Sequence, residues 1–248
     1  MSPGRDNVVV VVAPHPDDEV IGCGGTIIKK IAEGCKVKLI FTTDGSRSHA
    51  AVLHIFSDPT PEELARVRRV EALNAAAVLG IPSDDVHFLD AEDTNLHLSL
   101  SEVRDGIRRI FARYPAAREI YIPHDRRELN SDHRLTGQLV LACVKELEMT
   151  AQVFKYVVWD EETEREFGFV NRGVLPIVDD AEEELRLVDI REHLPQKLAA
   201  LNEHRTQTGL YYPAQNRTVV PLGFKRRIEE QDSERFFVHA NGISPEVL

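Results

Sequence analysis

Apolar runs alternate with amphipathic stretches along most of the chain, and the alternation predicts its elements. Val8 to Val12 is an unbroken β-branched run closed by Ala13, the pattern of a central strand buried on both faces. Polar residues begin where that run stops, at Pro14-His15-Pro16-Asp17-Asp18-Glu19, and Gly24-Gly25 opens into a helical stretch ending near Gly34. Lys36 to Thr43 predicts a second strand, again ending in polar residues, Asp44-Gly45-Ser46. Residues 46–59 show no period; His49 and His54 within them are expected at the surface. Thr60-Pro61-Glu62-Glu63 is a helix start, with a capping threonine, proline in the first turn and glutamate at the capping-box position. That helix carries Leu64, Val67, Val70, Leu73 and Ala77 at steps of three and four, and stops near Gly80.

Val86 to Asp90 predicts a third strand, followed by an acidic loop with Glu92 and Asp93 and a helix from about Ser99 or Ser101 to Tyr114. Glu119 to His124 predicts a fourth strand, then a polar loop to Arg134 and an apolar-faced helix from Leu135 to Leu147. Strands alternating with helices predict an α/β fold, a Rossmann-like, mostly parallel sheet flanked by helices. From residue 151 the pattern changes to a C-terminal extension. Val153 to Trp159 reads as a strand, Asp160 to Gly173 as a charged, aperiodic excursion, and Leu185 to Asp189 as a short strand. A helix is expected from about Leu194 to Thr208, and a strand from Arg235 to Val238. Without repeats or a low-complexity linker, the simplest partition is one domain over 1–248, with a core of about 8–150 and the extension over 151–248.

Composition removes several function classes. At 248 residues, 42% hydrophobic and 29% charged, the proportions are those of a globular protein. A formal charge of −11 argues against a nucleic-acid partner, which calls for a basic face. The three cysteines, Cys23, Cys35 and Cys143, are scattered and form no C-x-x-C pair, as expected of buried thiols in a reducing compartment. The valine run is far too short to span a bilayer and lacks a secretory context, so a cytoplasmic protein with no membrane partner is expected.

The candidate chemistry lies where strands end, the edge at which open α/β sheets bind ligands. His15 and Asp18 flank the strand-to-helix turn and offer an imidazole nitrogen and a carboxylate oxygen, both zinc ligands. His133, after the fourth strand, can reach the same edge. Two imidazoles and one carboxylate would leave a tetrahedral ion with an open position for water, and Asp17 could serve as general base. Each residue also has a plainer reading. Asp17-Asp18 suits the acidic first turn of a helix, His133 can cap its own helix, and Arg68 with Glu71 can form a surface ion pair.

These residues resemble the PIG-L/LmbE family of zinc-dependent N-deacetylases. Pro14-His15-Pro16-Asp17-Asp18-Glu19 is similar to its A-H-P-D-D-E signature, with proline in place of the leading alanine. Asn130-Ser131-Asp132-His133 falls where that family has H-P-D-H. Arg68-x-x-Glu71 with Ala76-Ala77-Val78-Leu79-Gly80, and Lys197-Leu198-Ala199-Ala200-Leu201 with His204-Arg205-Thr206-Gln207, resemble two of its helices. The resemblance covers roughly 8–208. It implies Zn2+ held by His15, Asp18 and His133, Asp17 as general base, Arg68 as a substrate contact, and removal of acetyl from an N-acetylglucosamine-type amino sugar or its conjugate. It also implies frequent homo-oligomers, although no stretch here shows an interface. Asn130 replaces a histidine that assists the intermediate or the leaving amine; an amide can donate to an oxyanion but cannot deliver a proton. Asp17 is therefore expected to act as base and acid, with His124 the weaker substitute. Two rival readings are a metal-dependent hydrolase of another bond, such as a phosphoester, and a non-catalytic nucleotide-binding module using the glycines at 22, 24 and 25.

Overall fold

The computed structural model describes residues 7–159 and 183–239. Its strands are β1 (Val8–Ala13), β2 (Lys36–Thr43), β3 (Val86–Ala91), β4 (Glu119–Pro123), β5 (Gln152–Tyr156), β6 (Glu183–Asp189) and β7 (Ser233–His239). The helices are α1 (Asp18–Ala32), α2 (Pro61–Leu79), α3 (Leu100–Phe111), α4 (Ser131–Glu146), α5 (Leu194–Glu203), α6 (Arg205–Thr208) and α7 (Leu222–Glu229). All seven strands form one sheet in the order β3-β2-β1-β4-β5-β7-β6. β1 to β5 are parallel, and β7 joins β5 and β6 antiparallel. The fold is the expected α/β one, a mostly parallel sheet flanked by helices.

β1 is buried throughout and divides its side chains between two cores, which is why it can be apolar at every position. Val9, Val11 and Ala13 pack with α1, α2, α5 and α7, whereas Val8, Val10 and Val12 pack with α3 and α4. The chain leaves β1 toward β2 on one side and later returns to β4 on the other. The crevice between the carboxyl ends of β1 and β4 is thus a topological switch point, the position at which such sheets present ligand groups.

Several boundaries differ from the sequence reading. α2 starts as its cap predicts, with Thr60 Oγ1 accepting the Glu63 N–H at 3.2 Å, and ends at Gly80 in the left-handed region (φ 92°). α4 begins at Ser131, one turn before Leu135, because Asn130 caps it; Asp132 and His133 therefore lie in its first turn. The helix expected over 194–208 breaks at His204 into α5 and α6, and α7 falls where the apolar pattern predicts no helix. His49 opens a π-helical turn, His49–Leu53, and is buried, while His54 is exposed as expected. The excursion expected over 160–173 lies outside the described residues. Among the described residues no helix is long and apolar enough to cross a membrane.

Candidate active site

The turn after β1 is built to converge. His15 N–H donates to Asp18 Oδ2 at 3.0 Å, and the Asp18 N–H returns to His15 O at 3.2 Å, so the turn closes on itself. From across the crevice, α4 delivers His133. Asn130 Oδ1 accepts the Asp132 N–H at 2.8 Å, and Gly137 lets the helix lie on the end of β4, where a Cβ would come within 2.5 Å of Pro123 O.

His15 Nδ1 is 3.0 Å from Asp18 Oδ2, and His133 Nε2 is 3.2 Å from both His15 Nδ1 and Asp18 Oδ2. Ligands at zinc bond lengths of about 2.0–2.1 Å stand about 3.3 Å apart in a tetrahedron, so three corners are close to size. The three residues are buried and could hold a metal ion. The far nitrogen of each ring faces an acid. His15 Nε2 lies 3.1 Å from Asp93 Oδ1 and 3.5 Å from Asp132 Oδ2, and His133 Nδ1 lies 3.2 Å from Glu128 Oε1. Such carboxylates fix the tautomer and aim the opposite lone pair at the ion. His15, Asp93 and Asp132 also form a second potential cation group. One imidazole serves two cations only by losing both protons, however, so an ion on His15 Nδ1 leaves Nε2 to face Asp93 and Asp132 as a donor. The two acids therefore back the first site.

The electrostatics agree. Burial disfavours a charged His133, but Asp18 and Glu128 outweigh it and raise the ring to about 9. His15 is likewise raised despite burial, by Asp93, Asp132 and Asp18. Burial opposes ionisation of Asp18, yet the two histidines hold it far below the usual carboxylate range.

Asp17 sits beside this triad at φ 131°, ψ −27°, a region side-chain-bearing residues avoid. Burial pushes its carboxyl up to about 7, against the opposing charge of Arg68, whose Nη2 lies 3.3 Å from Asp17 Oδ1. Arg68 is 1% exposed, which overturns the surface ion pair. Its Nη1 donates to Gly45 O at 2.9 Å and its Nη2 to Pro16 O, while Glu71 accepts the N–H and the hydroxyl of Thr206 at 2.8 and 2.7 Å. Gly45 (φ 67°) is needed there, since a Cβ would meet the guanidinium at 2.6 Å.

Two further histidines are buried, and His124 is one of them. Its Nδ1 accepts the Arg126 N–H at 3.1 Å, its Nε2 faces Glu183 Oε2 at 2.9 Å, and burial lowers its pKa. With both nitrogens engaged, it is no substitute proton donor. His49 is also buried, with Nε2 donating to Thr206 O at 3.0 Å. Sequence reasoning overlooked Glu128, Asp93 and Asp132 as backing acids, and Glu19 with His204. A usable signal for Asp93 was its acidic loop at the carboxyl end of a strand on the same sheet edge.

The glycines offer no phosphate cradle. α1 is interrupted at Cys23 (φ −150°, ψ 20°), and the freed N–H groups of Gly25 and Thr26 donate to Glu234 Oε1 and Oε2, each at 2.8 Å. Lys197 Nζ neutralises that carboxylate at 2.7 Å and donates to Ile21 O at 3.1 Å. The donors that a pyrophosphate would need are satisfied inside the protein.

Fold and site together define an α/β protein with a candidate mononuclear metal centre at its sheet switch point. The family model for GlcNAc-PI de-N-acetylase, PIG-L, matches residues 10–144, and the chain belongs to this family of deacetylases, hydrolases of linear amides that typically depend on a metal. It is 32% identical over 136 residues to the diacetylchitobiose deacetylase of Thermococcus kodakarensis, a match covering 55% of this chain and 48% of that protein. It is 27% identical to the 1D-myo-inositol 2-acetamido-2-deoxy-alpha-D-glucopyranoside deacetylase of Actinosynnema mirum, covering 82% and 81% of the two. Among solved structures, the N,N'-diacetylchitobiose deacetylase of Pyrococcus horikoshii superposes with a TM-score of 0.64 at 23% identity, covering 97% of this chain and 87% of that one. A 4-carboxy-2-hydroxymuconate hydratase of Pseudomonas putida superposes almost as well, with a TM-score of 0.60 at 16% identity over 98% of each chain. Superposition at this level therefore speaks for the fold and not for the reaction.

Proposed function

We propose that this protein is a zinc-dependent deacetylase that removes acetyl from an N-acetylglucosamine-type amino sugar or its conjugate. The observation that carries the reading is the convergence of His15 Nδ1, Asp18 Oδ2 and His133 Nε2 within 3.0–3.2 Å, with both rings backed by carboxylates. The names of the relatives supply the substrate class: both named relatives are deacetylases of N-acetylated amino sugars. In this reading His15, Asp18 and His133 hold the ion. When bound, zinc polarises the acetyl carbonyl and makes water acidic enough to react near neutrality. Asp17 takes the proton of the attacking water and returns it to the leaving nitrogen as the C–N bond breaks, giving acetate and the free amine. Asn130, whose Oδ1 is committed to its helix, offers Nδ2 to the developing oxyanion. Arg68 holds Asp17 in place from Pro16 and Gly45, and its substrate contact would be made from that same position.

Acetate release from N-acetylglucosamine, N,N'-diacetylchitobiose and N-acetylglucosaminyl conjugates by the zinc-loaded chain tests the reading, with phosphate release from phosphoesters measured alongside. Acetate is expected and phosphate is not. Asp17→Asn should retain zinc while lowering kcat by about 10²–10⁴. Phosphate release without acetate, or turnover by Asp17→Asn at the parent rate, would refute the assignment.

A further inference from the structure

We propose that Glu19 and His204 form a positioning pair that holds the backbone of Asp17, an inference that rests on the reading of Asp17 as the base. Asp17 has a conformation that side-chain-bearing residues rarely adopt, and such a conformation persists only where its surroundings over-determine it. Those surroundings are specific. The Asp17 N–H donates to Glu19 Oε2 at 2.9 Å, and Asp17 O accepts the N–H groups of Val20 at 3.1 Å and Ile21 at 3.0 Å. Both sides of the residue are thereby tied to the first turn of α1.

Glu19 is fully buried and needs a partner of its own, because a lone buried carboxylate is costly and would turn toward any other donor. The partner is His204, also fully buried, with Nε2 at 2.9 Å from Glu19 Oε1. His204 occupies the break between α5 and α6, which explains why the expected single helix is interrupted there. The following residue pair is fastened in turn, since Thr206 donates to Glu71 through its N–H and hydroxyl, and Thr206 O accepts from His49. Glu71 lies on α2, the helix that also sends Arg68 to the Asp17 carboxylate. The backbone of Asp17 is thus held from the α5–α6 break and its side chain from α2, with Glu71 linking the two. In this arrangement Glu19 and His204 touch neither substrate nor ion; they act through Asp17.

The test compares the full chain with His204→Phe, which keeps the ring volume without a donor, and His204→Gln, which keeps an N–H toward Glu19. Hydrogen exchange at the Asp17 amide, read on the zinc-free proteins, should speed up about tenfold or more in the Phe variant and stay within about threefold in the Gln variant, with the β1 amides unchanged. With zinc loaded, kcat for acetate release should fall about tenfold or more in the Phe variant, at unchanged KM and zinc stoichiometry. Equal exchange at Asp17 in the parent and the Phe variant, or loss of protection spread evenly over β1, overturns the proposal. If His204→Phe does not fold, Glu19→Met, which removes the acceptor of the Asp17 N–H, takes its place; unchanged Asp17 exchange in that variant overturns the proposal equally. Asp17→Asn is assayed in parallel, so the two ideas fail separately. Parent-like turnover in that variant removes the base while the exchange result still judges the pair. Loss of activity in Asp17→Asn beside unchanged Asp17 exchange in His204→Phe removes the pair alone.

Discussion

Lowering the pH should empty the metal centre by proton competition, and the slope can be worked from the site. In the metal-free chain, Asp18 and Glu128 raise His133 to about 9, so its ring is almost wholly protonated at neutral pH. His15 is raised in the same direction by Asp93, Asp132 and Asp18. An ion must displace the protons on its ligand nitrogens. His15 Nδ1 and His133 Nε2 face each other at 3.2 Å, too close for both to point an N–H at the other, so the number displaced lies between one and two. Below about pH 9 displacing the His133 proton costs tenfold in affinity per pH unit, so zinc should bind at least about 10²-fold more weakly at pH 6 than at pH 8. The stability sign follows. A histidine whose folded pKa is raised stabilises the metal-free protein fully below pH ~6.5 and loses that contribution as pH rises through about 9. The gain in Tm on adding zinc should therefore grow with pH across this window. Calorimetric titration in two buffers of different ionisation enthalpy counts the protons released, and melting with and without zinc at pH 6, 7 and 8 checks the trend. Zero proton release at pH 7, or affinity that falls as pH rises, would refute the reasoning.

Two further outcomes test the supports of the site. Lys197→Met leaves Glu234 buried without its cation and should cost about 3–5 kcal/mol, lowering Tm by roughly 6–20 °C; urea unfolding of the metal-free chain measures it, and a loss under about 1 kcal/mol would deny the pair its role. Glu128→Gln removes the charge facing His133 Nδ1 and should weaken zinc about 10–100-fold in competition with a chelator of known affinity, whereas a change under about twofold would show that Glu128 does not orient the ring.

The parts of this molecule that are legible in its sequence are those set by local periodicity. β1 declares itself because burial on both faces requires every position to be apolar, and α2 because Thr60, Pro61 and Glu63 satisfy its first turn. His15 and Asp18 could be paired from their spacing, and His133 could be brought to them once β4 was placed at the same edge. The start of α4 was missed because Ser131-Asp132-His133-Arg134 carries no apolar signal; only the Asn130 cap marks it. Arg68 and Glu71 looked like neighbours one turn apart, yet each turns to a distant segment, Arg68 to residues 16, 17 and 45 and Glu71 to Thr206. Buried His49 is expected at the surface for the same reason. Burial of a polar side chain is set by a tertiary partner, and a window of sequence contains no information on partners a hundred residues away.

Charge balance explains why so polar a centre is compatible with a stable fold. Where a buried anion in this chain has a fixed cation, the pair is closed: Glu234 meets Lys197 and two N–H groups, and nothing there calls for a ligand. Around His15 and His133 the tally is different. Asp18, Asp93, Asp132 and Glu128 all lie within 3.5 Å of a ring nitrogen. The charged side chain that touches this group from α2, Arg68, is directed to Asp17. Asp93, Asp132 and Glu128 accept backbone N–H groups, but four acids around two rings still favour positive charge there, which protons on those rings or an ion between them supply. Burial alone would lower the pKa of both histidines, so their upward shift comes from the acids around them. A single divalent cation between His15 Nδ1 and His133 Nε2 supplies the two charges that two ring protons would, with both rings neutral, and it leaves their N–H groups facing the acids that aim them.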